Sequence, residues 1–320
     1  MIRPTNISQS YTEKIGTLEI KPEYAIKSLY DIAEENDMAF GVLKVQTEYT
    51  SPVSGQKFPS KSYSVIRADN DFELGNGFTE DYQPLSYVDM LEVFFEDIKN
   101  ISGIPTRAIK FGIGEKGAFQ FIFPKDWQVA GTTHKTFWNL YSSHNGTVAT
   151  TINVSDVTII CGNTFNFSLM DKSLHYSVRH TTNSQERLVE IRKLFNISEA
   201  NMGQYYNQLD KMALMNAKGN VISDFLEYMI PTKKENGQSM NSGPKSRQLD
   251  LTQAIIHSAE NERNKSDVSI YDLFQGTTRY SNHRTGKRSE SEQFEFVMEG
   301  EGAKFNNKAF NWLQNYVDSQ

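Results

Sequence analysis

Apolar positions recur with two different periods along this chain, and the change of period divides it. Near the start, Ala25, Leu29, Ile32 and Ala33 fall on one stripe, which predicts an amphipathic helix over Pro22–Asn36. Strand-like runs follow at Phe40–Tyr49 and Tyr63–Arg67, separated by the Gly/Pro/Ser loop TSPVSGQKFPSK. The segment LGNGFTEDYQPLSYVDMLEVFFEDI reads as a glycine turn and then a helix from about Leu85. Its apolar side is Met90, Leu91, Phe94, Phe95 and Ile98. In the middle the period is that of strands. AIKFGIGEKGAFQFIF predicts a hairpin turning near Gly114–Gly117. KTFWNLYSSHNGTVATTINV predicts a second one, turning at Asn145-Gly146, with Val148, Thr150, Ile152 and Val154 on one face. Val157–Ile160 and His175–His180 read as further strands.

From about Ser184 the period becomes helical. Leu188, Ile191, Phe195, Met202, Tyr205, Leu209 and Met212 predict one long helix, or two joined near Asn196–Ser198. Pro231–Arg247 is polar and Gly/Pro/Ser-rich and reads as a loop. Leu249–Glu262 and Ala309–Val317 read as helices, and no internal repeat is visible. The expected fold class is α+β, with a central antiparallel-rich sheet in the first half and a helical second half. A β-rich core domain with two flanking helices is expected over 1–182, and a helical region packed on it over 183–320. No obvious linker separates the two, so one continuous domain is equally in keeping with the pattern.

Composition changes this picture little. The chain has 320 residues, 38% hydrophobic and 22% charged, enough to bury a sizeable core without staples. A single cysteine excludes an intrachain disulfide and a Cys-rich zinc site. No window approaches the roughly 20 apolar residues of a membrane span. The opening MIRPTNISQSYTEKIG lacks an apolar signal core, so it reads as mature sequence and the expected location is the cytoplasm. Net charge is −6, so bulk electrostatics offers no attraction to nucleic acid. The charge is uneven, however. Asp69–Asp97 holds nine acids and no base, whereas Gly276–Arg288 holds Arg279, Arg284, Lys287 and Arg288 and no acid. Such a basic stretch is either a solvated loop or a local phosphate-binding patch.

Candidate chemistry begins at VTIICGNTFNFSLM, Val157–Met170. Gly162 permits an unusual turn, and Asn163 or Thr164 suits the N-cap of a short helix carrying Phe165, Phe167 and Leu169. Capping accounts for these residue types, and the same helix start would also suit an anion. In YSVRHTTN, a strand points Arg179 to one face and His180 to the other, with Thr181 and Thr182 at its exit. One basic side chain beside the helix start would complete a phosphate site. Cys161 reads as a small buried residue rather than a nucleophile. Asp69, Asp71 and Glu73 suit either a surface turn or Mg²⁺. No Walker loop, GxGxxG, HExxH or CxxC is present, and the six histidines lack ligand spacing. No catalytic residue, metal site or cofactor follows from the residues.

These segments carry a family resemblance. VTIICGNTFNFSL resembles the strand-Cys-x-Asn-Thr-Leu element of a phage- and plasmid-borne family known as domain of unknown function nine-hundred-and-thirty-two, the phage/plasmid-like protein family. SVRHTTNSQERL resembles its Arg-His-Thr element, and LGNGFTEDYQPLSYVDMLEVF its Leu-Gly-x-x-Gly-x-Tyr-x-x-x-Gln segment, with Phe78 where tyrosine is common. FNNKAFNWLQNYVDSQ resembles its terminal Asn-Ala-x-x-x-Tyr-x-Asp-His element, with Ser319 in place of histidine. The resemblance runs from about Val65 to Asp318. It implies mobile-element biology: replication, recombination or countering host defence. By analogy with phage annealing proteins it implies a homo-oligomer without membrane contact that binds single-stranded nucleic acid. Bases would stack on Trp138, Tyr141 or Tyr280, and Arg279, Arg284, Lys287 and Arg288 would meet phosphates. Core packing is the competing role for those aromatics. An interaction protein that meets a host defence component through its acidic face is a second reading, and a nucleotide-directed enzyme a third.

Overall fold

A computed structural model describes residues 29–100, 104–158, 163–165, 176–180, 192–233, 238, 242–283 and 288–320. Helix α1 (Leu29–Glu35) leads into a three-stranded antiparallel sheet of β1 (Val42–Thr50), β2 (Lys57–Arg67) and β3 (Glu73–Phe78), in that order. Strand β2 starts earlier than the Gly/Pro/Ser pattern suggests. The ring of Phe58 stacks on that of Tyr49 across the ladder, 5.8 Å between centroids, and this pair holds the turn end of the hairpin in register. The expected glycine turn in LGNGF is instead β3 itself. Gly75 sits where a side chain would collide with the backbone of His144 and Asn145, so this strand is glycine because another loop lies directly on it. Helix α2 (Tyr87–Asn100) follows, close to the expected start.

The second sheet has β4 (Ile104–Phe111), β5 (Lys116–Val129), β6 (Thr132–Ser143), β7 (Thr150–Thr158), β8 (Asn163–Phe165) and β9 (Tyr176–Val178). Its order is β4-β5-β6-β7-β8, and all the pairings are antiparallel. Strands β8 and β9 share the outer edge of β7, β9 on Thr150–Ile152 and β8 on Asp156–Thr158. The β4–β5 hairpin turns through Gly112–Glu115 as expected. Between β6 and β7 the chain reverses at Asn145-Gly146, but through a loop of six residues, His144–Ala149, not a two-residue turn. Residues Thr136–Ser143 and Thr150–Asp156 are buried without interruption, so both faces of this sheet are covered. That explains why β6 and β7 do not alternate cleanly between apolar and polar.

The second half is helical: α3 (Arg192–Leu214), α4 (Gly219–Met229), α5 (Ser242–His257), α6 (Ile270–His283), α7 (Glu290–Met298) and α8 (Glu301–Asp318). Helix α3 is continuous across Asn196–Ser198. Helix α5 begins inside the stretch read as a loop and runs into a π-helical turn at Ser258–Glu262. Helix α6 takes in Gly276–His283 of the basic stretch, and Gly276, Thr277, Thr278 and Ser281 are buried within it, so this part is not a solvated loop, one of the two readings of the stretch. One face of the second sheet, with Phe119, Phe121, Trp138, Leu140, Ile152 and Val154, joins Tyr205, Leu209, Phe274 and Phe310 in a single buried cluster. The other face sets Ile109, Phe111, Ala118 and Tyr141 against Phe294 and Met298 of α7. The fold is α+β: antiparallel sheets in the first half and helices mostly in the second. Among the described residues, no helix is long and apolar enough to cross a membrane.

Candidate functional site

Three polar constellations stand out. The first lies between the second sheet and helices α3 and α6. Asp156 on β7 meets His134 Nδ1 at 2.8 Å and accepts from Tyr206 at 2.9 Å and Tyr205 at 3.2 Å. His134 Nε2 lies 2.8 Å from the Tyr271 hydroxyl, which also meets Thr132 at 2.8 Å. Thr136 meets Tyr206 at 2.9 Å. A histidine–carboxylate pair resembles catalytic machinery, but His134 is 0% and Asp156 2% exposed and every group is taken by a protein partner. This network anchors two helices to the sheet and leaves no place for a substrate.

The second constellation gathers the family-like motifs. The Phe78 ring stacks on Tyr82 at 4.1 Å between centroids, and Tyr82 stacks on His180 at 5.5 Å. His180 Nε2 meets Thr150 at 2.9 Å and Ser142 at 3.2 Å, while Nδ1 faces the Tyr82 hydroxyl at 3.3 Å. The Gln83 N–H bonds back to the His180 carbonyl. Thus the glycine-rich segment and the Arg-His element meet on the edge of one sheet. Nearby His144 packs its ring against Tyr87 at 4.4 Å and Phe40 at 5.9 Å. Both of its ring nitrogens are buried without a hydrogen-bond partner among the described residues. Burial holds His144 down at about 3, with His180 adding to the effect, and burial holds His180 at about 4.

The helix start expected at Asn163 and Thr164 is a strand instead. Both residues belong to strand β8, paired as Thr158↔Asn163 and Val157↔Thr164, so no helix begins at Thr164. Their backbone groups complete the edge of β7 rather than open a helix. Ile159–Gly162, Cys161 included, lie outside the described residues. Of the Arg-His pair, Arg179 is exposed and His180 buried. Trp138 and Tyr141 are 2% and 1% exposed, which removes them as stacking platforms. Asp69 pairs with Arg67 at 2.7 Å, and Glu73 accepts from Ser64 at 2.9 Å. Arg67 also binds Asp37 at 2.8 Å and beds on the Phe40 ring, locking β2 to the end of α1. Among the described residues, no three His, Cys, Asp or Glu side chains cluster as a metal site.

The third constellation is a cavity of about 480 Å³ at the meeting of α4, α5, α6, α7 and α8. Tyr280 and Arg288, both singled out from sequence, line it together. Arg247, Lys304 and Lys308 add three further cations, and Glu301 supplies a carboxylate. Phe296 and Phe305 complete an apolar wall, and Phe305 lies 5.6 Å from Tyr280 between centroids. The Arg288 guanidinium rests on Phe296, 3.7 Å from the ring centroid. Gly302 makes this possible, because a side chain there would run into the Phe296 ring. Lys308 donates to the Tyr228 carbonyl at 2.6 Å, and burial pushes its pKa below the ordinary lysine value. Lys304 pairs with Glu301 at 2.7 Å. Arg279 does not line the cavity, and Arg284 and Lys287 lie outside the described residues.

A mixed α+β chain with a basic, aromatic-walled cavity among its C-terminal helices is the class defined by these observations. Residues 77–298 match the family model described as Domain of unknown function (DUF932). The match covers more than half of the chain, and the chain belongs to that family. It takes in the motif cluster around His180 and ends at the last residue of α7, so α8 with Lys304, Phe305 and Lys308 lies beyond it. No curated protein and no solved structure matches the chain.

Proposed function

We propose that this protein binds single-stranded nucleic acid through the cavity among α4–α8, in the replication or recombination of a mobile element. The observation that carries the reading is the pairing of Tyr280 and Phe305 with Arg247, Arg288, Lys304 and Lys308 in one space. Single-strand binders combine cations that track the backbone with aromatic faces on which bases stack, and neither alone distinguishes them from an ordinary surface. The net charge of −6 makes the binding local, since the body of the protein repels a polyanion. Binding of a labelled oligonucleotide, followed by fluorescence anisotropy over a range of salt concentrations, tests this. Changing Arg247, Arg288 and Lys304 together to Ala should weaken binding and flatten the salt slope by about 0.7 for each phosphate no longer neutralised. Tyr280→Ala should cost about 1–3 kcal/mol if a base stacks there. An unchanged affinity and slope in both variants refutes the reading.

A further inference from the structure

The charges of the cavity are more than an internal stretch of strand requires. Glu301 is engaged by Lys304, which leaves Arg247, Arg288 and Lys308 uncompensated by it. Among the described residues, Arg288 and Lys308 form no ion pair. Arg288 is held by the Phe296 ring and the Gln293 amide oxygen, and Lys308 by the Tyr228 carbonyl and ring. Neutral partners fix the position of both cations, and Glu292, whose carboxylate feels the charge of Arg288, is committed to its capping box with Ser289. Partly buried charge of that kind is costly until an anion joins it. A phosphodiester brings one negative charge, whereas a phosphate monoester brings about 1.5 to 2 near neutral pH and three acceptor oxygens. The volume, about 480 Å³, is in the range that encloses one small ligand. Behind the floor, Asn306 is fully buried, meets the Ser281 hydroxyl at 2.7 Å and leaves Nδ2 without a partner among the described residues.

We infer that this cavity is a site for one nucleoside monophosphate group, with its phosphate on Arg288 and Lys308 and its base against Tyr280 and Phe305. The inference rests on the single-strand reading for its preferred source, the phosphorylated end of a strand. A free nucleotide carries the same chemistry. Arg247 and Lys304 at the rim meet whatever continues from the phosphate.

The full-length protein distinguishes these sources in one anisotropy experiment. Four probes are compared: a linear single strand with a terminal phosphate, the same strand with hydroxyl ends, its circular form, and free dAMP as competitor. The phosphorylated strand should bind at least about tenfold more tightly than the hydroxyl-ended and circular strands, the worth of one further charge-assisted hydrogen bond. Arg288→Gln with Lys308→Gln should abolish that preference while the melting temperature stays within a few degrees of the parent. Arg247→Gln serves as a milder second variant that should reduce overall affinity but keep the preference. Equal binding of all three strands, with no competition by dAMP, overturns the monophosphate site and leaves single-strand binding standing. Binding of dAMP with no binding of any strand supports the site and refutes the single-strand reading. Absence of binding by every probe overturns both.

Discussion

Acidification puts the packing around β6 and β7 to a quantitative test. His144 is 0% exposed, and the rings of Tyr87 and Phe40 hold it with neither nitrogen bonded to any of the described residues. His180 spends its ring nitrogens on Thr150, Ser142 and Tyr82, all uncharged. Burial keeps the two at about 3 and about 4, below the ordinary value of 6.5. Depressed histidines bind protons more readily in the unfolded chain. Their neutral forms therefore contribute stability that is complete above about pH 6.5 and is lost as the pH falls toward the folded values. At about pH 5 the unfolded chain has taken up both protons and the folded one neither. The loss is about 2 kcal/mol for each histidine, or about 4 kcal/mol together, a large part of a total of roughly 5–15. Asp37 and Asp69, held low by hydrogen bonds from Arg67, titrate below this window. Asp272, raised by burial, acts in the opposite sense and gains on acidification. Total stability therefore sums several groups, and variants isolate the histidines. Urea denaturation of the parent, His144→Phe and His180→Gln is measured between about pH 7 and pH 5. The stability gap between parent and each variant should move by about 2 kcal/mol in the variant's favour over that interval. A gap that stays constant with pH refutes the assignment of the acid sensitivity to these two rings.

Two further outcomes follow from the packing. Asp156→Ala should cost about 3–5 kcal/mol, because His134, Tyr205 and Tyr206 lose their common acceptor in a dry site, whereas Tyr206→Phe should cost only about 1 kcal/mol; thermal melts compare the two, and equal effects would show that the network is not shared. Ser289 closes a capping box with Glu292 at the start of α7, so Ser289→Ala should cost about 1 kcal/mol and speed amide exchange in α7 alone; exchange unchanged there, or raised throughout, would contradict a local cap.

The strands that sequence patterning found were those whose signals are local. The β4–β5 turn announces itself through its glycines, and the Asn145-Gly146 reversal needed no knowledge of what packs nearby. Strand β8 failed this test. Asn163 and Thr164 are good cap residues by type, but a ladder to β7 claims their backbone, and such pairing leaves no mark in the segment itself. Helix α6 was hidden for a related reason. Gly276, Thr277 and Thr278 are poor helix formers, and burial against the core overrides that preference. The cavity was half legible. Tyr280 and Arg288 are close in sequence and stood out as a basic aromatic stretch. Arg247, Lys304 and Lys308 come from α5 and α8 and meet them only in space. Lys304 and Lys308 do share a face at i, i+4 spacing, but they precede the segment Ala309–Val317 that read as helical.

Helix α7 has nine residues and is gripped on two sides at consecutive positions. Phe296 borders the cavity under Arg288, while Glu295 is clasped by Lys116 at 2.6 Å and Tyr141 at 2.8 Å on the sheet. So short a rod has little length over which to bend. A push on one side arrives at the other as a tilt of the whole helix, with the fulcrum where Phe294 and Met298 rest on Phe111 and Ala118. The stiffness felt by anything in the cavity is therefore set partly by a lysine and a tyrosine that never touch it, and the sheet works as the spring against which that wall is loaded.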